Sequence, residues 1–277
     1  MSPAARTATL TVRRSTRFVT WVRAWRAGLV PYDDVADEIA EGEDHLAAAC
    51  DGAPTAGPGA LRWLGADPPG TWTEVPLVEV LSTFAPLHPD QIRLALPAPG
   101  DPRGLPGPGE FSGAALLAGE AALAGEFGLV PEVRQHTSGS GDVFETVLWQ
   151  VYPLPGEPAE TGPSVSEAEA DLNTALAEAT AQLARLDVAQ WRPELAGALA
   201  TLRRPDSVGD LPPGYDARAR RLYARATILD GVLALAGQSA PGGAVTGYEA
   251  RQRDEALRPL LTACRRALTA AVNAPLI

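Results

Sequence analysis

The 277-residue sequence contains no lysine; all 23 of its basic residues are arginine. That absence excludes a Schiff-base lysine for a pyridoxal cofactor, the lysine of a Walker A loop and the nucleotide-pairing lysine of kinases. Cysteine is nearly as scarce. Cys50 and Cys264 form neither a CxxC pair nor a ligand cluster, so a disulfide framework is not indicated and a reducing cytoplasm fits. No stretch approaches 18 apolar residues, and Arg13, Arg14, Arg17, Arg23 and Arg26 interrupt every candidate leader, so neither a membrane span nor a secretory signal is expected. The three histidines, His45, His88 and His136, are widely separated, and neither an HExxH nor a GxSxG motif is present. No cofactor and no metal site are expected.

What is present is unevenly charged. The net −11 resolves into residues 1–30, with six Arg and no acid, residues 31–163, with four Arg against 21 acids, and residues 164–277, with 13 of each. The acidic middle would repel a polyphosphate, so nucleic acid is disfavoured as a partner and only the Arg-rich N-terminus keeps that route open.

Periodicity supplies the elements. Phe18, Trp21, Val22 and Trp25 recur at helical spacing up to Gly28, and Val35, Ile39 and Leu46 suggest one amphipathic helix over 33–49. A basic helix followed by an acidic one reads as a hairpin of complementary charge. Pro76–Phe84 reads as a short helix and residues 111–126 as an Ala/Leu-rich one. Ile92–Pro97 and Val143–Tyr152 alternate in the manner of strands, and polar His136–Asp142 reads as the hairpin connection from a further strand near Leu129–Arg134. Past a Pro/Gly linker the pattern is helical. Ser166 to Glu169 reads as a capping box, Pro193 opens a second helix, Asp216 caps a third, and Thr246 to Glu249 opens a fourth that contains Pro259. The expected fold is therefore α+β, a small and mostly antiparallel sheet with helices followed by a helical-bundle-like domain. Its expected boundaries are 1–155 for the acidic α+β domain with a basic N-terminal arm, 156–163 for the linker and 164–277 for the bundle.

Candidate sites are few. The loop 97–109, PAPGDPRGLPGPG, lies between a predicted strand and a predicted helix. There Ser112 would cap the helix while Asp101 and Arg103 stand near free backbone N–H groups able to receive a small anion. Arg218, Arg221 and Arg225 crowd the start of the third bundle helix, where the dipole disfavours cations, so they suggest an interface with the acidic domain or an anion-binding cleft. His136, Ser138, Ser140 and Asp142 have the residue types of a catalytic triad but the composition of a flexible turn.

Leu94–Pro99 with Gly100-Asp101-Pro102, the small-residue helix Gly113–Gly125 and the run Leu186-Asp187-Val188-Ala189-Gln190-Trp191-Arg192-Pro193 resemble a group of uncharacterised proteins of high-GC actinobacterial genomes. The resemblance implies a bacterial cytosolic setting and no particular activity. The residues themselves point to a non-enzymatic interaction or regulatory protein whose partner is another protein. The alternative is a small-anion or metabolite-binding protein, or an enzyme, with its site at the 97–112 loop and the domain cleft.

Overall fold

The computed structural model describes residues 12–50, 74–154, 162–185, 210–238 and 247–277. It divides into two compact units. One comprises Arg13–Gly162 with the short segments Pro212–Tyr215 and Pro275–Ile277; the other holds Pro163–Leu211 and Asp216–Ala274.

The first unit is built on a six-stranded sheet. Its elements are α1 (Arg14–Arg26), α2 (Tyr32–Ala40), β1 (Asp44–Ala49), β2 (Val75–Pro76), α3 (Leu77–Leu81), β3 (Ile92–Ala95), α4 (Glu110–Ala118), β4 (Ala121–Ala124), β5 (Phe127–Thr137) and β6 (Val143–Pro153). The strand order is β2-β1-β6-β5-β4-β3, and β1 with β6 is the parallel pair in an otherwise antiparallel sheet.

Two predicted helices are shorter than their periodicity suggested. The segment 33–49 is helical only to Ala40; Glu41 takes φ 44° and Gly42 φ 80°, and the chain then runs extended as β1 beside β6. The segment 111–126 is helical only to Ala118, because Gly119 adopts φ 72° and Ala121–Ala124 pair with both β3 and β5. In each case a left-handed residue ends the helix, and small alanines tolerate the crowded middle of the sheet.

The sheet is covered on both faces. From α1, Phe18 packs against Trp149 at 5.1 Å between ring centroids and against Phe84 at 5.8 Å. On the opposite face Phe111 and Ala115 of α4 join Val130, Leu123 and Tyr152. Six consecutive residues of α1, Ser15 to Thr20, are buried, so this part of the helix is enclosed all round. The expected basic arm is thus, from Arg14 onward, an interior element. Its arginines are held by internal partners: Arg14 pairs with Glu43 at 2.6 Å, Arg17 with Glu41, Arg23 with Asp90 at 3.5 Å, and Arg26 Nε donates to the Leu87 carbonyl at 3.1 Å.

The second unit contains α5 (Val165–Arg185), α6 (Ala217–Gln238) and α7 (Gly247–Val272) among its described residues. Ala168, Leu172, Ala175 and Ala179 form the buried stripe of α5, and α7 packs against both α5 and α6. The capping box sits two residues earlier than the sequence suggested. Ser164 Oγ accepts the Glu167 N–H at 3.3 Å while the Glu167 carboxylate takes the Ser164 N–H at 2.9 Å. Asp216 caps α6 as expected, its carboxylate accepting the Ala219 N–H at 2.6 Å. The helix expected after Pro193 lies outside the described residues.

Candidate functional site

Antiparallel pairing fixes which way each backbone group of β5 and β6 points. Leu154 N–H donates to the Glu126 carbonyl at 2.7 Å, and Ser138 N–H to the Asp142 carbonyl at 2.8 Å, one at each end of the ladder. With the register between them unbroken, even-numbered residues of β5 exchange hydrogen bonds with β6 and odd-numbered ones face the opposite edge. β4 occupies that edge only as far as Leu129. On the other side, β1 accompanies β6 from Thr146 onward. Beyond these limits, among the described residues, the hairpin is a two-stranded ribbon with unpaired outer edges. Pro131 falls on an outward position, where its missing N–H costs no ladder bond.

The stretches with an unpaired outer edge carry Val133 on β5 (43% exposed) and Val143 (58%) and Phe144 (48%) on β6, three of the large apolar side chains left in solvent. His136 stacks on Phe144 at 5.1 Å and bonds the Thr146 hydroxyl at 2.8 Å. Arg134 is held by Glu74 at 2.6 Å and Glu132 at 3.5 Å. At the turn, Ser138 and Ser140 bond one another at 2.7 Å, Ser140 donates to Asp142 at 2.7 Å, and the Asp142 N–H reaches Ser138 Oγ at 3.0 Å. These hydroxyls close a turn, and the ring of His136 is engaged with Thr146 and Phe144.

A second feature lies at the Pro/Gly loop. A pit of about 380 Å³ opens there, rimmed by Gly107–Glu110 and floored by Phe111, Tyr152 and Leu154. Phe111 can lie flat on β5 because residue 128 is glycine; a Cβ there would stand 2.4 Å from the ring. Ser112 is not the helix cap. It lies inside α4, after the N-cap Gly109, and its hydroxyl donates to the Gly107 carbonyl. Arg103 stays largely exposed, 3.4 Å from Asp101, and neither residue lines the pit. The Tyr152 hydroxyl donates to Gln150 at 2.6 Å, and Gln150 to Glu132 at 2.7 Å. Burial, aided by the neighbouring Cys50 thiol, raises the pKa of Tyr152 above its usual range, so the hydroxyl keeps its proton and donates it.

Arg218, Arg221 and Arg225 belong to the helical unit. Arg218 pairs with Glu169 at 2.8 Å and Arg225 donates to Asn173 Oδ1 at 2.6 Å, both partners on α5; Arg221 is exposed. Asp101, Arg103 and Ser112 belong to the sheet unit. Burial pushes the Cys264 thiol up to about 12, consistent with a core position on α7.

Sequence reasoning did not anticipate the polar group beneath α1. Trp149, fully buried, donates its indole N–H to His45 Nδ1 at 3.1 Å. Indole is a donor only, so Nδ1 must accept and the hydrogen rides on Nε2, which faces Glu43 at 3.4 Å. Burial holds His45 below its ordinary value, and the Arg14 guanidinium keeps Glu43 ionised. The group ties β1 to α1 and β6, with Trp149 fully buried and Glu43 at the partly exposed end. Among the described residues no cluster of three or more His, Cys, Asp or Glu could hold a metal ion.

Two family models match the chain: Rv1486c-like protein, N-terminal domain, over residues 15–164, and Rv1486c-like protein, C-terminal domain, over residues 166–269. The chain is 32% identical to Uncharacterized protein Rv1486c of Mycobacterium tuberculosis (strain ATCC 25618 / H37Rv) over 282 residues, covering 92% of this chain and 94% of the relative. It is 28% identical over 283 residues, with the same coverage, to Uncharacterized protein ML1804 of Mycobacterium leprae (strain TN). No solved structure matches.

Proposed function

Given that the chain belongs to the Rv1486c-like family, whose matched relatives carry no named activity, we propose that it is a non-catalytic interaction protein that meets a partner protein through the free end of the β5–β6 hairpin. One observation carries this reading: Val133, Val143 and Phe144 stand in solvent on strands whose outer edges are unpaired among the described residues. A ribbon outside the core contributes little to the fold, and apolar residues kept there are explained by contact. The setting proposed is the bacterial cytoplasm, which suits two free cysteines. The test is recovery of partners from the native cell with the wild-type chain and with the double variant Val143→Thr, Phe144→Ser. Partners lost with the double variant support the reading; equal recovery by both chains sinks it.

The pit at 107–112 supports a second reading, the binding of a small ligand. Its floor is apolar and its one rim carboxylate is Glu110, so a ligand with an apolar body fits it better than the small anion suggested by sequence. Ligand-observed NMR against a fragment library, repeated with Leu154→Trp to fill the pit, tests this; hits indifferent to Leu154→Trp would place binding elsewhere.

A further inference from the structure

We propose that the outward edge of β5, Pro131–Thr137, receives an extended basic segment of the partner protein as an added strand. The inference rests on the hairpin reading above and specifies how the partner is held. By the parity of the ladder, the N–H groups of Val133, Gln135 and Thr137 and the carbonyls of Pro131, Val133, Gln135 and Thr137 point away from β6. β4 uses the same edge at Phe127 and Leu129 and then stops. Seven residues at about 3.3 Å each leave an edge of roughly 23 Å, enough for a strand of ordinary length.

An edge of this kind binds through its main chain, while alternate side chains of the added strand select the partner. Neighbours on one face would be Glu132, Arg134 and His136; on the other, Val133 and Gln135. The hairpin and its ion pairs bring together Glu74, Glu132, Asp142 and Glu145, while the one arginine within the hairpin, Arg134, is already held by Glu74 and Glu132. A second copy of the chain would bring another net −11 to this acidic ribbon, whereas a basic segment is steered towards it. The partner segment therefore alternates Lys or Arg, beside Glu132, with apolar residues, beside Val133.

The parity also supplies the decisive variant. Gln135→Pro removes an outward donor and spares every main-chain bond between β5 and β6, losing only the exposed side-chain bond from Gln135 to Glu145, while Arg134→Pro breaks the ladder and serves as the misfolding control. The full-length chain is panned against phage-displayed random nonapeptides, and the enriched peptide is synthesised and titrated by fluorescence anisotropy. Alternating basic and apolar peptides, bound about tenfold more weakly by Gln135→Pro, are expected. Amide exchange at Val133, Gln135 and Thr137 of the wild-type chain should slow when the peptide is added, a readout that does not require the variant to fold. Failure to enrich alternating basic peptides, or binding indifferent to Gln135→Pro with no slowed exchange, overturns strand addition. If such binding is still lost in Val143→Thr, Phe144→Ser, the hairpin reading stands without it; if it survives there too, both fail. A wild-type dimer in solution that Gln135→Pro abolishes would make a second copy the occupant and overturn the basic partner.

Discussion

At the scale of single residues, Gly128 and His45 each hold a neighbour in place. An Ala Cβ at position 128 would meet Phe111 at 2.4 Å and Leu154 at 2.9 Å. Neither can retreat without disturbing the packing between α4 and the sheet. Gly128→Ala is expected to cost about 1–3 kcal/mol, read as a lower urea midpoint, and an unchanged midpoint would mean that Phe111 is not seated as described. His45 fixes the pH response. Burial depresses its folded pKa below the ordinary 6.5, so between those two values the unfolded chain binds more protons than the folded one. Stability is therefore full above about 6.5 and falls as the pH drops through that window. Arg14 and Arg17 face the ring and oppose its protonation; Glu43 favours it, and Trp149 already occupies Nδ1 with its own N–H. Thermal melts between neutral and mildly acid pH should show the loss, and His45→Gln should flatten it. An equal slope in the variant would assign the titration to another group.

The elements differ in how far their residues announced them. β6 was legible because its two faces alternate over about ten positions, a pattern no helix reproduces, and part of β5 followed from the Gly/Ser turn that joins it to β6. β1 and β4 were not, since DHLAAA and AALA carry no alternation, and alanine is the strongest helix former. What makes them strands is the ladder beside them, together with Glu41 and Gly119 turning left-handed at the preceding helix ends. The helices of the second unit were legible from their stripes and caps. Asp216 is the clearest cap, and Asp216→Ala should cost about 1 kcal/mol while Asp216→Asn retains most of it, as measured by the denaturation midpoint. An Ala variant as stable as wild type would show that the bond to the Ala219 N–H contributes nothing.

For the molecule as a whole, charge was correctly located along the chain but not in space. The arginines of α1 read as an arm available to nucleic acid, yet from Arg14 to Arg26 they are turned onto Glu43, Glu41, Asp90 and the Leu87 carbonyl. A chain of net −11 whose N-terminal helix arginines are so engaged is expected to pass through DNA-cellulose unretained at low salt. Retention that disappears as salt rises would overturn that expectation. The candidate interface was only half visible in sequence. Both strands and their turn could be read, but its exposed edges depend on where β4 and β1 stop, and those were the two strands hidden by their alanines.

Past Arg134 on β5 and ahead of Thr146 on β6, the ladder has neither β4 nor β1 beside it. Adding or removing two residues on each strand would change its length and leave every pair from Phe127–Pro153 to Pro131–Trp149 in register and on the same face. Reach and contact chemistry at the tip can thus drift among descendants of this chain while the core stays fixed. Changing one strand by a single residue would instead shift all later pairings, so length variation among relatives should come in matched steps.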